Sequence, residues 1–486
     1  PWAERVTSSC EPVRTLSRMS PRVLSTQLTT TERTTLVAEH DNLQAALRRA
    51  AEAGEVELGL GLLASLSSYS WMRGMRVSAT AQAVTLLEEI GDSPPPELGD
   101  EYVLCVLTAA AGDGGREAWE RHRATAEAIV VAPERPHRHP VITFLWPMIT
   151  ADAEDPSVAL SVIARGQAGP DPWEHAVVHL LWGYPQLSSG DPARAEHEFA
   201  SAADAFRALG DRWGTSLALD ALAGLAALRG EEGKAIALTD EALALTERLG
   251  AIEDVPDLLC NRGDYRVHAA WAGRDPTGDG LARARADYER AAEISRRAGS
   301  PTYLAAALRG LGDIARLEGD LAGARGLYEQ ALERFETHWV KSAGGRTGAL
   351  FGLGRIAEIS GDLAEAAALY RRAVEVSVGT GAITESARPV EALAQIALLE
   401  GDAPAAAVLL GAAVSLRGLS VADDPGVSRT AATARAVLGE AAYEAAHRAG
   451  TLLPTADALR LAGIPEAVIR TSPINSVTDR GMLRPG

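Results

Sequence analysis

The fold is decided by a stretch that reads LGDIARLEGDLAGARGLYEQA over residues 311–331. At its centre lies the dipeptide Gly319-Asp320. An alanine follows the glycine after five positions, a tyrosine after nine and a second alanine after twelve. Small residues at these positions let two helices approach closely, and the large residue fills the gap between them. The stretch therefore predicts a helical hairpin.

The same pattern recurs along the chain from about residue 175. Successive copies begin 40, 49, 40, 42 and 40 residues apart. The second copy is weaker because Thr239 replaces the large residue, and the third inverts the dipeptide to Asp-Gly. The long spacing includes extra residues through 273–276, which indicate a loop insertion. The six copies start at Gly190, Gly230, Asp279, Gly319, Gly361 and Gly401.

Two of these copies carry a further Leu-Gly pair eight and seven positions before the glycine, at Leu311-Gly312 and Leu353-Gly354. The combined pattern resembles the tetratricopeptide repeat. A spacing near 40 residues exceeds the usual period of about 34, which predicts longer helices or loops. The resemblance implies an all-α fold, namely an α-solenoid of tetratricopeptide-like helical hairpins that wind into a right-handed superhelix.

Changes in composition and register divide the chain into five parts. Ser, Thr and Arg dominate the lead-in. The following segment keeps apolar residues at helical spacing but lacks the spacing of the repeat. Because the first residue is Pro1 and not methionine, we expect a piece of a longer protein. The parts are a flexible lead-in over 1–35, divergent helical hairpins over 36–170, tetratricopeptide-like repeats over 171–418, a C-terminal helical cap over 419–470 and a tail over 471–486. Within the cap, we expect a final pair of helices at 429–438 and 441–450 and a short helix near 456–462.

Composition and charge exclude several functions. The chain has 486 residues and a net charge of −18, from 47 basic and 65 acidic side chains. Because an acidic surface repels phosphate backbones, we expect no direct nucleic-acid contact by this chain. No apolar run is long enough to cross a membrane, and the three cysteines are far apart, which argues against a disulfide framework. We expect a cytoplasmic protein without membrane association.

No catalytic motif is present in the sequence. The patterns GxxxxGK[ST], HExxH and GxSxG are all absent. We therefore expect no enzymatic activity and no cofactor. His175 and His179 lie four residues apart on one helical face, a spacing that also suits metal ligands. Because no third ligand is positioned by the sequence, ordinary positions on a first helix are the favoured interpretation, and we expect no metal site.

The first helix of each hairpin lines the concave face of a solenoid, so its polar and aromatic residues are the candidates for binding. Aromatic side chains there can anchor a peptide or a flat small molecule. For each tryptophan by itself, packing between helices is the favoured interpretation. The candidate binding residues are Trp182, Tyr184, Trp213, Asp220, Asp264, Arg309, Asp313, Arg316, Arg355 and Glu358, and the groove-facing positions also include Arg388 and Gln395.

The arginines among these candidates admit two interpretations. Arg309, Arg316 and Arg355 fall in neighbouring repeats, where their guanidinium groups can bind a carboxylate or an acidic segment by forked hydrogen bonds. Alternatively, they form inter-repeat ion pairs with Asp313 or Glu358. The sequence favours neither interpretation over the other.

Two segments resemble one family of regulators. Residues 38–47 read AEHDNLQAAL, and residues 405–418 read AAAVLLGAAVSLRG. The first resembles the segment that follows the nucleotide-binding and winged-helix modules in large actinobacterial regulators of the AfsR/SARP type and in related ATP-dependent LuxR-like regulators. The second, with the later Tyr443 and Ala449-Gly450, resembles the terminal cap of the same family's repeat region.

This resemblance implies a signal-responsive switch with an N-terminal DNA-binding domain, a central STAND-class NTPase and a C-terminal repeat domain. We expect the chain to be that sensor: a regulatory domain of a transcriptional regulator for an antibiotic or secondary-metabolite pathway. Its expected partners are a small-molecule effector or a protein partner and the upstream NTPase module of the same polypeptide, with oligomer formation possible. A bound ligand would change the superhelix pitch.

The alternative is a free-standing tetratricopeptide adaptor or scaffold that binds a protein segment. A clamp for two carboxylates needs a groove rich in lysine and asparagine. With only Lys234 and Lys341 in the chain, that version of the adaptor is disfavoured.

Overall fold

A computed structural model describes residues 40–73, 76–111, 114–132, 137–150, 157–188, 191–250, 254–335, 340–418 and 424–470. Within these ranges the chain forms 23 α-helices and no β-strand. The lead-in expected at 1–35 and the tail expected at 471–486 lie outside the described residues. Seven helices form the first third: α1 (His40–Glu52), α2 (Val56–Arg73), α3 (Arg76–Ile90), α4 (Gly99–Ala110), α5 (Arg116–Val131), α6 (Val141–Ile149) and α7 (Ser157–Ala168).

Six hairpins follow, each made of a first and a second helix. The first helices are α8 (Pro172–Ser188), α10 (Arg212–Leu228), α12 (Asp254–Trp271), α14 (Pro301–Leu317), α16 (Val340–Ile359) and α18 (Ala387–Leu399). The second helices are α9 (Pro192–Leu209), α11 (Glu232–Leu249), α13 (Gly280–Ala298), α15 (Leu321–Arg334), α17 (Leu363–Gly379) and α19 (Ala403–Arg417). The chain continues through α20 (Pro425–Leu438), α21 (Glu440–Thr451), α22 (Thr455–Leu461) and α23 (Glu466–Arg470), with short 3-10 helices at Pro96–Leu98 and Ile383–Ser386.

The Gly-Asp dipeptide separates the two helices of a hairpin. Gly319 has a φ of 90°, a left-handed conformation that glycine adopts without steric cost. Asp320 then caps the second helix, because its Oδ1 accepts a hydrogen bond from the backbone N–H of Gly323 at 2.9 Å. The same capping bond, to the residue three positions on, recurs at Asp191, Asp362 and Asp402.

The small and large residues of the pattern pack as the sequence predicts. Tyr328 is fully buried. Its ring lies between Gly312 of its own hairpin and Gly352 of the next. A Cβ atom at these glycines would lie 2.8 Å and 2.2 Å from that ring. The alanines five and twelve positions after each anchor are also fully buried in all six copies. Helices therefore pack at close range both within and between hairpins.

The hairpins stack into an all-α solenoid. First helices of successive hairpins touch one another, as α12 touches α14 and α14 touches α16, whereas consecutive second helices make less contact. This difference places the first helices on the inner, concave side. One hydrophobic cluster extends from Leu43 to Leu225, so the core continues from the divergent hairpins into the repeats. None of the helices in the described ranges is long and apolar enough to cross a lipid bilayer.

In the C-terminal cap, the predicted helices at 429–438 and 441–450 fall within α20 and α21. Helix α21 packs extensively along α19, and α20 makes a smaller contact with it. Gly411 and Gly450 make the contact of α21 with α19 possible. A Cβ atom on either glycine would lie 2.0 Å from a backbone oxygen of the opposite helix. Because α21 occupies the place beside α19, α20 is displaced toward the concave side and packs on α18 and α19.

Candidate functional site

The first helices α12 and α14 are joined by a partly buried ion pair between candidate residues. Arg309 donates from Nη2 to Asp264 Oδ2 at 2.6 Å and from Nη1 to Asp264 Oδ1 at 2.8 Å. Nη1 also donates to Asp313 Oδ2 at 3.1 Å. Burial acts to lower the pKa of Arg309, but the carboxylates of Asp264 and Asp313 raise it overall. The guanidinium therefore stays charged and holds two repeats together.

Two tyrosines that occupy the large position of the repeat donate hydrogen bonds to the same carboxylates from the core side. Tyr288 donates its hydroxyl to Asp264 Oδ1 at 2.5 Å, and Tyr328 donates to Asp313 Oδ1 at 2.7 Å. Burial and the nearby carboxylate raise the pKa of Tyr328 well above its ordinary value, so the hydroxyl remains a donor. The spacing of the repeat predicts only a packing role for these tyrosines. Their recurrence nine residues after the anchor is the signal that could have identified this second role.

A second set of contacts joins α16, α17 and α18. Glu358 Oε2 accepts from Arg355 Nη1 at 2.7 Å and from the Tyr370 hydroxyl at 2.8 Å. The other carboxylate oxygen, Oε1, accepts from Gln395 Nε2 at 2.6 Å. Nearer the N-terminus, Asn261 on α12 donates to Asp220 Oδ1 on α10 at 3.0 Å.

These contacts form a line of polar side chains across the first helices, which we call the polar ladder. Arg309 and Arg316 lie at ion-pair distance from Asp313, and Arg355 from Glu358, but each of these pairs lies within one helix and not between repeats as the second interpretation predicts. Among these residues, bonds between first helices join α10 to α12, α12 to α14 and α16 to α18, but not α14 to α16. The members of the polar ladder are Asp220, Asn261, Asp264, Arg309, Asp313, Arg316, Arg355, Glu358 and Gln395.

The ladder is interrupted between α14 and α16, where a chamber of about 80 Å³ opens. Arg316 and Arg355 both line this chamber, whereas their partners Asp313 and Glu358 do not. Helix α20 lies over it. The Arg429 guanidinium of α20 lies 5.9 Å from the centre of the Trp271 ring on α12. The other lining residues are Val267, Trp271, Leu317, Phe351, Arg388, Glu391, Ala392, Gln395, Asp424, Gly426, Val427 and Thr430.

The aromatic candidates lie apart from the ladder, on α8 and α10. Trp182 is half-buried against the first hydrophobic cluster. Tyr184 is exposed and meets the Phe199 ring edge-on. Trp213 is only 9% exposed and donates from Nε1 to Asp254 Oδ2 at 3.2 Å. Trp213 is thus a core residue, in keeping with the packing interpretation of the tryptophans.

The two histidines considered as metal ligands have other contacts. His175 Nε2 lies 2.6 Å from the backbone oxygen of Gly169, and His179 Nδ1 lies 2.7 Å from Glu198 Oε2. Over the described ranges, no three His, Cys, Asp or Glu side chains are arranged to hold a metal ion. These contacts agree with ordinary positions on a first helix.

Comparison with protein families matches residues 278–337 to the tetratricopeptide repeat. Among solved structures, the chain is similar to a Rap protein complexed with competence and sporulation factor, with 13% identity, a TM-score of 0.45 and coverage of 85% of this chain and 99% of that one. It also matches a circular tandem repeat protein with novel repeat topology, with 14% identity, a TM-score of 0.15 and coverage of 92% and 99%. No curated protein sequence matches it.

The matched segment contains the hairpin partners α13, α14 and α15. The chain therefore contains a tetratricopeptide-type domain, a class of repeat that presents an extended concave surface for interactions. Arg309, Asp313, Arg316, Tyr288 and Tyr328 all lie inside the matched residues.

Proposed function

We propose that this chain is the sensing domain of a transcriptional regulator, and that an effector or a protein partner binds on the concave face. The bound state would act on an NTPase module and a DNA-binding module upstream in the same polypeptide. The observation that supports this proposal is the polar ladder, which places mutually bonded charged groups on successive first helices of a chain that is otherwise rich in Ala and Leu.

The ladder offers a physical route from binding to a change in shape. Each repeat of a solenoid contacts only its neighbours, so small rotations accumulate along the superhelix. A ligand that competes for one ladder bond changes the rotation between two repeats. Such a ligand shifts the population of conformations only if its affinity for the two states differs. The contact between Arg309 and Asp264 is such a bond, since it joins two repeats through two hydrogen bonds.

The gene provides the first test. A GxxxxGK[ST] motif and a winged helix encoded in frame before Pro1 would support the regulator. A reading frame without them would overturn this proposal in favour of the free-standing adaptor that binds a protein segment. That alternative draws its support from the tetratricopeptide match.

The second test uses the full-length protein and its rate of ATP hydrolysis. Arg309→Gln removes one ladder cation, and Arg372→Gln is the matched control because it removes an exposed arginine on the second helix α17. We expect Arg309→Gln to change the rate at least about threefold and Arg372→Gln to leave it unchanged. Equal rates in wild type and Arg309→Gln would contradict coupling between the ladder and the NTPase.

A further inference from the structure

Arg316 and Arg355 together line the chamber between α14 and α16, whereas Asp313 and Glu358, their acidic partners on the same helices, do not. At the other junctions an acid meets an arginine or an amide, as in Asp264 with Arg309. We propose that this chamber binds a small organic carboxylate, held by Arg316, Arg355 and Arg388. The inference rests on the proposed function, because it names the chemistry of an effector for the same concave face.

Arg388 contributes a guanidinium that is available for a ligand. Among the described residues, no carboxylate lies within ion-pair distance of Arg388. Its contact is the Phe351 ring, whose centre lies 4.5 Å from the guanidinium carbon. Glu385 and Glu391 act on it only at longer range. An arginine stacked on an aromatic ring keeps its planar donors free for a carboxylate.

Arg316 and Arg355 also keep donors that their own partners do not use. Arg355 bonds Glu358 and Gln395 through Nη1 alone. Arg316 reaches the Tyr328 hydroxyl from Nε at 3.4 Å and Asp313 Oδ1 from Nη2 at 3.6 Å, both long contacts. Forked hydrogen bonds from more than one guanidinium are the arrangement that recognises a carboxylate.

Two acidic side chains also line the chamber, and both already have donors. Glu391 Oε1 accepts from Arg417 Nη2 at 2.6 Å. Asp424 Oδ1 caps α20 by accepting from the backbone N–H groups of Gly426 at 2.7 Å and Val427 at 3.0 Å. The charged group of the chamber that lacks a close acidic partner is therefore a cation, the Arg388 guanidinium.

The size of the chamber limits the ligand. A volume of about 80 Å³ holds a few groups the size of water, at roughly 10–15 Å³ each. Helix α20 covers the chamber through the contact of Arg429 with Trp271 and through Asp424 Oδ2, which lies 3.9 Å from His268 Nε2. A compact carboxylate fits this partly open space, whereas a folded protein segment is too large for it.

Isothermal titration calorimetry of the purified chain at low salt near neutral pH tests the assignment. The probes are succinate, benzoate and inorganic phosphate. We expect saturable one-to-one binding of succinate or benzoate, stronger than that of phosphate. Arg388→Gln should weaken it roughly tenfold or more, and the exposed-arginine control Arg372→Gln should not change it.

Three results would overturn the proposal: no saturable binding of either carboxylate, tighter binding of phosphate, or equal affinity in wild type and Arg388→Gln. Far-UV circular dichroism checks that the variant is folded. If Arg388→Gln loses helicity, Arg388→Lys replaces it, and the same tenfold criterion applies because lysine cannot make the forked contact. The proposed function has a separate readout, since the Arg309→Gln test of ATP hydrolysis does not involve Arg388.

Discussion

Arg309 and Asp264 lie 45 residues apart in the sequence and are joined by two hydrogen bonds of 2.6 and 2.8 Å across neighbouring first helices. The Arg309 side chain is 14% exposed and that of Asp264 is 36% exposed, so the arginine is largely shielded from water and the carboxylate only in part. A buried charge that loses its partner is costly, which makes this pair sensitive to the loss of either member.

Arg309→Gln should lower the free energy of unfolding by about 3 kcal/mol, because Asp264 and Asp313 then lose their shared cation. Urea unfolding followed by circular dichroism measures the effect. The double variant with Asp264→Asn should be less destabilised than the sum of the two single changes. Strict additivity of the two changes would argue against a direct coupling.

The glycines that face Tyr328 should not tolerate a side chain. Gly352→Ala places a Cβ atom 2.2 Å from the ring, and we expect it to destabilise the fold by about 1–3 kcal/mol. Gly326→Ala is the control, because a Cβ atom there meets nothing within 4 Å. That change should instead stabilise helix α15 by about 0.5–1 kcal/mol. Thermal unfolding of both variants distinguishes close packing from helix propensity, and a stabilising Gly352→Ala would contradict the packing described.

The sequence predicts some of these features and not others. The Gly-Asp anchor depends on contacts within one hairpin, so it predicts the turn and the start of the second helix. The large residue packs within its own hairpin and against the next, as Tyr328 does between Gly312 and Gly352. The position on a first helix identifies the ladder residues other than Asn261. It does not identify their partners, because a side chain such as Arg309 has acids both on its own helix and on the preceding one.

Other features depend on contacts that the local pattern does not contain. Asn261 pairs with Asp220 across two hairpins, from α12 to α10. The close approach of Gly411 and Gly450 brings α21 to the side of α19. Helix α20 lies over a chamber lined by several first helices, so the pattern of a single repeat does not predict it.

The capping aspartates should each stabilise one second helix. Asp362→Ala removes the bond to the Glu365 N–H and should cost about 1 kcal/mol of unfolding free energy. Glu231→Ala is the comparison, since Glu231 occupies the same position but its side chain makes no capping bond. We expect that change to have less than half the effect in urea unfolding. Equal losses at the two positions would show that the capping bond contributes nothing.

A cluster of buried charges in the first third of the chain should make the free energy of unfolding depend on pH in the acid range. Burial alone would raise the pKa of Asp100 and Glu101, but bonds and charges from His137, Arg138 and His139 hold both pKa values below the ordinary 3.8 and 4.5. Their stabilisation is therefore complete above those ordinary values and is lost as the pH falls through the lower, folded-state values.

Urea midpoints measured between neutral pH and about pH 3 test this dependence. Asp100→Asn should lower the midpoint at neutral pH and flatten its decline in acid. Asp204→Asn removes a carboxylate that is 81% exposed and should leave the profile unchanged. An unchanged slope in Asp100→Asn would exclude this cluster as the source of acid sensitivity.

Hydrogen–deuterium exchange of wild type and Arg309→Gln tests most directly whether the ladder couples the repeats. If it does, exchange in the variant rises in α12 as well as in α14, while the exposed-arginine control Arg372→Gln shows no change in these two helices. A rise confined to α14 would contradict coupling along the concave face, and with it the mechanism proposed for sensing.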